Sequence, residues 1–437
     1  MRLTQALTAA LAFGLMSCAP AASAPAPKVA ADAPVEVSFT NLRAEAKRLI
    51  RDGVVPNVVI GIATPDGRTH WMREGTLGFE NAAPADEQSI YRIYSMTKPV
   101  TGLAAAILIS EGKLGLDQPV AKILPAFADT QVLVDSDTYG EPRVPARPMT
   151  IRHLMTHMSG LGYSIIPSAV SEAYVEAGIV PGWRRSNFMR PSAQQPASLQ
   201  EFASRVAAQP LRVDPGTEWH YSVGLDILGA VIENVSGQSF ESYLQDRVFA
   251  PLGMDDTDFV VDADDVARLT DNHARADGRT VVFDAAATSE YLIAAPFPAG
   301  GAGLAGTGED YLRFLAAMTK DGMIDGKQAL PAEAVRLATS NLIPDNGRVT
   351  GFEWKDTGFG AGARVLVDPA ASEPLGTYGW GGAASTMAAA MPEQDVAYVI
   401  MTQIMVTGDH DMRSGLRRAL GADLAAIGLI EDRQTGN

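Results

Sequence analysis

The sequence predicts an α+β fold: an antiparallel sheet flanked by helices, built from both chain ends, with a mostly helical domain inserted between them. Three observations predict it. A strand, a tight turn and a second strand stand near the start; helical periodicity dominates about residues 95–262; short strands then return and the chain closes on an amphipathic helix.

In chain order, residues 42–50 place apolar groups at helical spacing. Residues 58–64 and 69–74 are β-branched and apolar runs joined by Pro65-Asp66-Gly67, and Asp-Gly between such runs is a strong hairpin signal. A helix opens at Ser95, continues through the apolar residues 103–109 and stops at Gly112; apolar on every side, it is predicted to be central and buried. Loops rich in Pro and Gly follow at 125–148 and 162–197. The second carries Tyr163, Tyr174, Trp183, Arg184, Arg185 and Phe188, and its length suits the wall of a cleft. Ser222 is placed to cap a helix over 224–235, and Thr307, with Asp310, to cap one running to about 318. Strands are expected at 280–283, 364–367 and 396–402, and the closing helix at 412–429.

With 437 residues and 46% hydrophobic content, the chain can bury a large core. Its formal charge of −16 argues against nucleic acid or an anionic membrane as a partner, because both need basic patches. Residues 1–17, with Arg2 and the apolar run 6–16, read as an export signal too short to span a bilayer. The single cysteine, Cys18, follows Leu15-Met16-Ser17, a sequence that resembles the lipobox of bacterial lipoproteins, where the cysteine is lipidated. Cleavage after Ala24 is the rival, disfavoured by Pro25; mass analysis of the mature N-terminus separates the two. The expected location is therefore the periplasm or cell envelope, with membrane contact only through that anchor. Residues 18–38 form an Ala/Pro-rich tether, and 39–437 form the folded domain: 39–94 and about 263–437 its α/β part, about 95–262 its helical part.

The chemistry gathers at Ser95-Met96-Thr97-Lys98. Residues three apart on a helix are neighbours, so Lys98 can reach back and take the proton of the Ser95 hydroxyl. Pro99 prevents the helix from beginning much earlier, which leaves Ser95 among the unpaired N–H groups that stabilise an oxyanion. Two fixed positions in four recur by chance, so partners are needed. Tyr221 stands at a loop-to-helix junction, where a phenol beside an amine can share a proton. Trp380-Gly381-Gly382-Ala383 offers a close backbone approach and, on an exposed edge strand, an N–H for a carbonyl oxygen.

Other motifs fail. The match to G-x-G-x-x-G at 301–306 follows Pro296-Phe297-Pro298 and not a strand, so no dinucleotide site is expected. His153 and His157 are four apart but lack the Glu of H-E-x-x-H and read as structural. There is no G-x-S-x-G elbow. Neither a metal nor a cofactor is expected.

With Ser95, Lys98, Tyr221 and Trp380-Gly381-Gly382 in this order, the chain resembles the serine β-lactamase and penicillin-binding superfamily, in its class C-like branch, and there family VIII carboxylesterases. Tyr91-Arg92-Ile93-Tyr94 before the tetrad, His157-Met158-Ser159-Gly160, residues 221–229, Pro251-Leu252-Gly253-Met254 and residues 379–386 carry the likeness. The resemblance implies a β-lactamase/transpeptidase-like fold, an acyl-Ser95 intermediate, Lys98 and Tyr221 as a shared base and acid, and an oxyanion hole from the N–H groups of Ser95 and Ala383. Two departures bear on substrate. Trp380 stands where those enzymes present Lys or His to a substrate carboxylate, and loss of such an ion pair removes about 1.5–3 kcal/mol. Val223 stands where asparagine holds an acylamino group. Both changes favour a neutral ester of short or medium chain, bound at Trp380, Gly381 and Gly382. The alternatives are a β-lactamase or D-amino-acid peptidase, and a non-catalytic envelope binding protein of the same fold.

Overall fold

The computed structural model describes residues 35–180, 195–276, 279–343, 357–368, 373–406 and 410–431. Cys18, the export signal and most of the tether lie outside these residues, as do Trp183, Arg184, Arg185 and Phe188.

A seven-stranded antiparallel sheet runs in the order Thr357–Phe359, Arg364–Leu366, Tyr378–Gly381, Met387–Met391, Val396–Met401, Asn57–Ala63, Thr69–Gly75. The chain ends meet where Val59 pairs with Met401 and Ala63 with Ala397. Both faces of the sheet are covered at this pair, so all seven positions of Asn57–Ala63 are buried. Alternation then assigns the faces: Val58, Ile60, Ile62, Tyr398 and Ile400 enter one cluster, and Val59, Ala63, Val399 and Met401 the other.

The outer cluster is closed by the first helix, Thr40–Arg51, and the last, His410–Ala426. Phe39, at the N-cap of the first helix, supplies no side-chain bond. Asp423 of the last helix does so instead: Oδ1 accepts from Asn41 N and Nδ2 at 2.9 and 2.8 Å, and Oδ2 from Leu42 N at 2.9 Å.

The inner cluster continues without a break into the helical part. At its centre runs Thr97–Ser110, buried from Thr97 to Leu108 and ended by Gly112 at φ 69°. This helix touches the loop before Arg364–Leu366 closely. A Cβ on Gly102 would lie 2.3 Å from the Ala361 carbonyl oxygen, and one on Gly362 2.2 Å from that of Lys98.

Several expectations need correction. Residues 280–283 are a strand, Arg279–Asp284, but it belongs to a separate three-stranded sheet with Asn272–Ala276 and Ile404–Val406, with Val281 and Val282 exposed. The 125–148 loop holds a 3-10 turn, Pro125–Asp129, and a short pairing of Val132–Leu133 with Pro142–Arg143; the 162–197 loop holds the helix Ser171–Glu176. Ser222 stands one residue before the N-cap, Val223, of the helix Gly224–Ser236, yet its hydroxyl accepts from Gly224 N at 3.4 Å and also meets His157 Nδ1 at 3.2 Å. Thr307 does cap Gly308–Thr319, accepting from Asp310 N.

Candidate functional site

Ser95 lies in a 3-10 turn, Tyr94–Met96, that leads into the central helix. The turn is fixed from several sides. Gln403 brackets Arg92, accepting from its N–H at 2.7 Å and donating to its carbonyl at 3.3 Å. Ile93 N donates to Leu304 O, Leu304 N to Thr97 Oγ1, and the Tyr311 hydroxyl to Met96 O at 2.8 Å. Tyr94, just before Ser95, is held at φ 45°, a conformation that costs a side-chain-bearing residue about 1–3 kcal/mol. Its buried hydroxyl accepts from Asn272 Nδ2 at 2.7 Å, which locks the strained turn in place.

The structure brings Ser95, Lys98 and Tyr221 together. The Tyr221 hydroxyl donates to Ser95 Oγ at 2.7 Å, and Lys98 Nζ donates to the same oxygen at 3.3 Å. Lys98 is wholly buried; its Nζ also donates to Gly301 O at 2.7 Å and sits 4.5 Å from the Tyr221 ring centre and 5.5 Å from that of Tyr163. Ser95 and Tyr221 keep partial exposure, so one side of the nucleophile is open while the amine behind it is dry.

Behind Tyr221 stands His157, with ring centres 4.8 Å apart and Nδ1 also near Ser222 N. Burial, then the charge of Lys98, holds its imidazole well below the usual histidine range, so it is a neutral support. The sequence reading of His153 and His157 as structural matches this geometry: His153 closes a capping box with Thr150 on the helix Ile151–Met155.

Trp380 ends near the same group. Its ring centre lies 5.7 Å from that of Tyr221 and 5.2 Å from that of Phe359, giving a half-exposed aromatic wall. The exposed edge strand expected from the sequence is not found at Tyr378–Gly381, because Arg364–Leu366 pairs with it. That pairing covers only Tyr378 and Gly379, however, so the side beyond Gly379 stays open. The N–H groups of Ser95 and Ala383 have no acceptor among the described residues, which leaves both available to an oxyanion. Gly382 is pressed against Thr386 and the Ile93 carbonyl, with no room there for a Cβ. Arg413 reaches this turn from the last helix and donates Nη2 to Gly382 O at 2.8 Å and Ala383 O at 3.4 Å. Val223 is 1% exposed and packs into the core, so it adds no open surface to a cleft.

Three participants escaped the sequence reading. Gly301 supplies the carbonyl that holds Lys98, and Asp226, 3% exposed, accepts from Gly301 N at 2.9 Å. Tyr163 was noted only as part of a loop; its ring closes over Lys98 and lies 5.4 Å from Tyr221. The available signal for Asp226 was a lone acid within the apolar run of residues 224–232.

A serine hydroxyl shared by a phenol and a buried amine is the equipment of acyl transfer. A model of the Beta-lactamase family matches residues 42–422. The chain belongs to the beta-lactamase family. Among curated relatives, Esterase EstB of Burkholderia gladioli is 33% identical over 343 residues, covering 74% of this chain and 80% of the relative. Protein Rv1367c of Mycobacterium tuberculosis is 31% identical over 353 residues, covering 76% and 84%. Among solved structures, EstCE1, described as a hydrolase with promiscuous acyltransferase activity, superposes with a TM-score of 0.70 at 25% identity over 87% of this chain and 97% of that one. The penicillin-binding protein homologue from Pyrococcus abyssi, at TM-score 0.62 and 23% identity over 88% and 77%, shares the fold. Within the serine β-lactamase and penicillin-binding superfamily, the chain stands near family VIII esterases and is a serine hydrolase-type enzyme.

Proposed function

We propose that this member of the beta-lactamase family cleaves short- to medium-chain carboxylic esters through an acyl-Ser95 intermediate. The observation that carries the reading is the convergence of Tyr221 and Lys98 on Ser95 Oγ, beside an aromatic wall in place of a cation. The Ser95 proton passes to the shared Lys98/Tyr221 pair as Oγ attacks the ester carbonyl. The oxyanion is received by the N–H groups of Ser95 and Ala383. Collapse breaks the ester bond, and the leaving alkoxide takes the proton back. Water, activated by the same pair, then attacks the acyl-enzyme and frees the acid and Ser95. An alcohol in place of water gives acyl transfer, and the promiscuous acyltransferase activity described for EstCE1 supports that outcome within the same chemistry.

The preference for a neutral ester over a β-lactam rests on Trp380 and on Arg413, whose guanidinium is directed at the Gly382 and Ala383 carbonyls. The names of Esterase EstB and of the lovastatin esterase of Penicillium rubens, 28% identical over 391 residues, support the same reading. The expected result is that a fluorophosphonate probe labels Ser95 and that Ser95→Ala abolishes turnover of a short-chain p-nitrophenyl ester. Faster turnover of a chromogenic cephalosporin than of any ester tested would move the assignment to a β-lactamase. No labelling of a folded chain would leave the binding-protein alternative.

A further inference from the structure

Lys98 Nζ has two hydrogen-bond partners among the described residues, Ser95 Oγ and Gly301 O, and neither carries a charge. A fully buried amine that must accept the serine proton therefore gains a positive charge in a dry site, and an isolated charge there is costly. The ionisable groups facing it come from several elements. Tyr221 and Tyr163 present their rings, and burial raises the Tyr163 phenol well above its usual range, which keeps it protonated. His157 is neutral by burial. The remaining group is Asp226, in the first turn of Gly224–Ser236. Burial raises its carboxyl above the usual range, a rise opposed by a charge on Lys98 and by the Gly301 N–H, and hydrogen bonds through Gly301 link the two groups. The contact is tight as well as polar: a Cβ on Gly301 would lie 2.6 Å from Asp226 Oδ2.

We propose that Asp226 is a positioning residue for the nucleophile: it clamps the Gly301 N–H so that the Gly301 carbonyl aims Lys98 at Ser95, and its carboxylate balances the charge Lys98 gains in the reaction. This rests on the acyl-Ser95 reading. Gly301 is bound at both ends, its N–H by Asp226 and its C=O by Lys98, so a single residue couples the acid to the amine. The match to G-x-G-x-x-G, without function as a nucleotide loop, acquires one here, because a glycine at its first position lets the carboxylate come this close.

Asp226→Asn keeps the size and an acceptor oxygen but removes the charge. The experiment is the pH dependence of fluorophosphonate labelling at Ser95, which needs no choice of substrate. The acid-side midpoint should move to lower pH by on the order of one unit, because the pair then gives up its proton more readily. The plateau rate should fall roughly tenfold or more, because the charge developed during attack loses its balance. A variant with the wild-type midpoint and plateau overturns the proposal, even if it melts earlier, while leaving the acyl-Ser95 reading intact. No labelling of the wild-type chain sinks both. Should Asp226→Asn fail to fold, Asp226→Glu keeps the charge and displaces the Gly301 clamp: a lowered plateau with a nearly unmoved midpoint is expected, and a wild-type plateau overturns the proposal.

Discussion

Gly382 has no room for a side chain: a Cβ would stand 2.2 Å from Thr386 Oγ1 and 2.5 Å from the Ile93 carbonyl oxygen. The turn that carries the Ala383 N–H is thereby pressed onto the residues leading into Ser95. Gly382→Ala must separate two backbones, and a displacement approaching 1 Å near reacting atoms can cost about a hundredfold. We expect ester kcat to fall roughly ten- to a hundredfold with far-UV circular dichroism unchanged; an unaltered kcat would show that this approach does not set the site. Strain gathers in the same place. Tyr94, His157 and Ser385 hold positive φ values of 45°, 58° and 68°, and each adjoins or supports one of the three segments that meet at Ser95. Ser95, Lys98, Tyr221 and Trp380 were legible because their chemistry is local or their motif recurs. Asp226 and Gly301 were not, since no local pattern tells that an acid in one helix will face a loop 75 residues away.

Helix ends are governed by equally local chemistry, and the short helix Ile151–Met155 shows it best. Thr150 N donates to His153 Nδ1 at 3.2 Å, which requires a lone pair on that nitrogen, while Thr150 Oγ1 accepts from His153 N. Burial pushes the imidazole down to about 4. A base whose folded value lies below its unfolded value of 6.5 contributes stability that is complete above 6.5 and is lost as pH falls towards 4, because the unfolded chain binds the proton first. His153→Gln, which keeps an acceptor and cannot titrate, should flatten the fall in Tm over that range; an identical pH dependence in thermal melts would refute the role. Among the elements, the Asp66-Gly67 hairpin and the closing helix were readable from periodicity and turn chemistry. The Ala-rich strand Met387–Met391 was not, because alanine has no strand preference and only its pairing with Tyr378–Gly381 and Val396–Met401 makes it one. Ser222 divides its hydroxyl between the Gly224 N–H at the helix start and His157.

At the scale of the molecule, a sheet begun by two N-terminal strands is finished by five from the other end. Its existence was foreseeable from strands at both ends; the seam between Asn57–Ala63 and Val396–Met401 was not, because register between segments more than 300 residues apart has no local signature. Asp423 sits across that seam's outer layer, 1% exposed and accepting three N–H bonds at the start of the first helix. Asp423→Ala leaves those donors without a charged partner and should cost about 1–3 kcal/mol in denaturant unfolding. A loss within error would mean that solvent replaces the carboxylate.

That same carboxylate also orders events in time. The helix that stands earliest among the described residues is capped by a residue 381 positions later than Leu42, and Asn57–Ala63 waits for its neighbour Val396–Met401. Until residue 423 has been made, these earlier segments have no completed layer to join, and the growing chain carries the risk of association that unpaired strand edges bring.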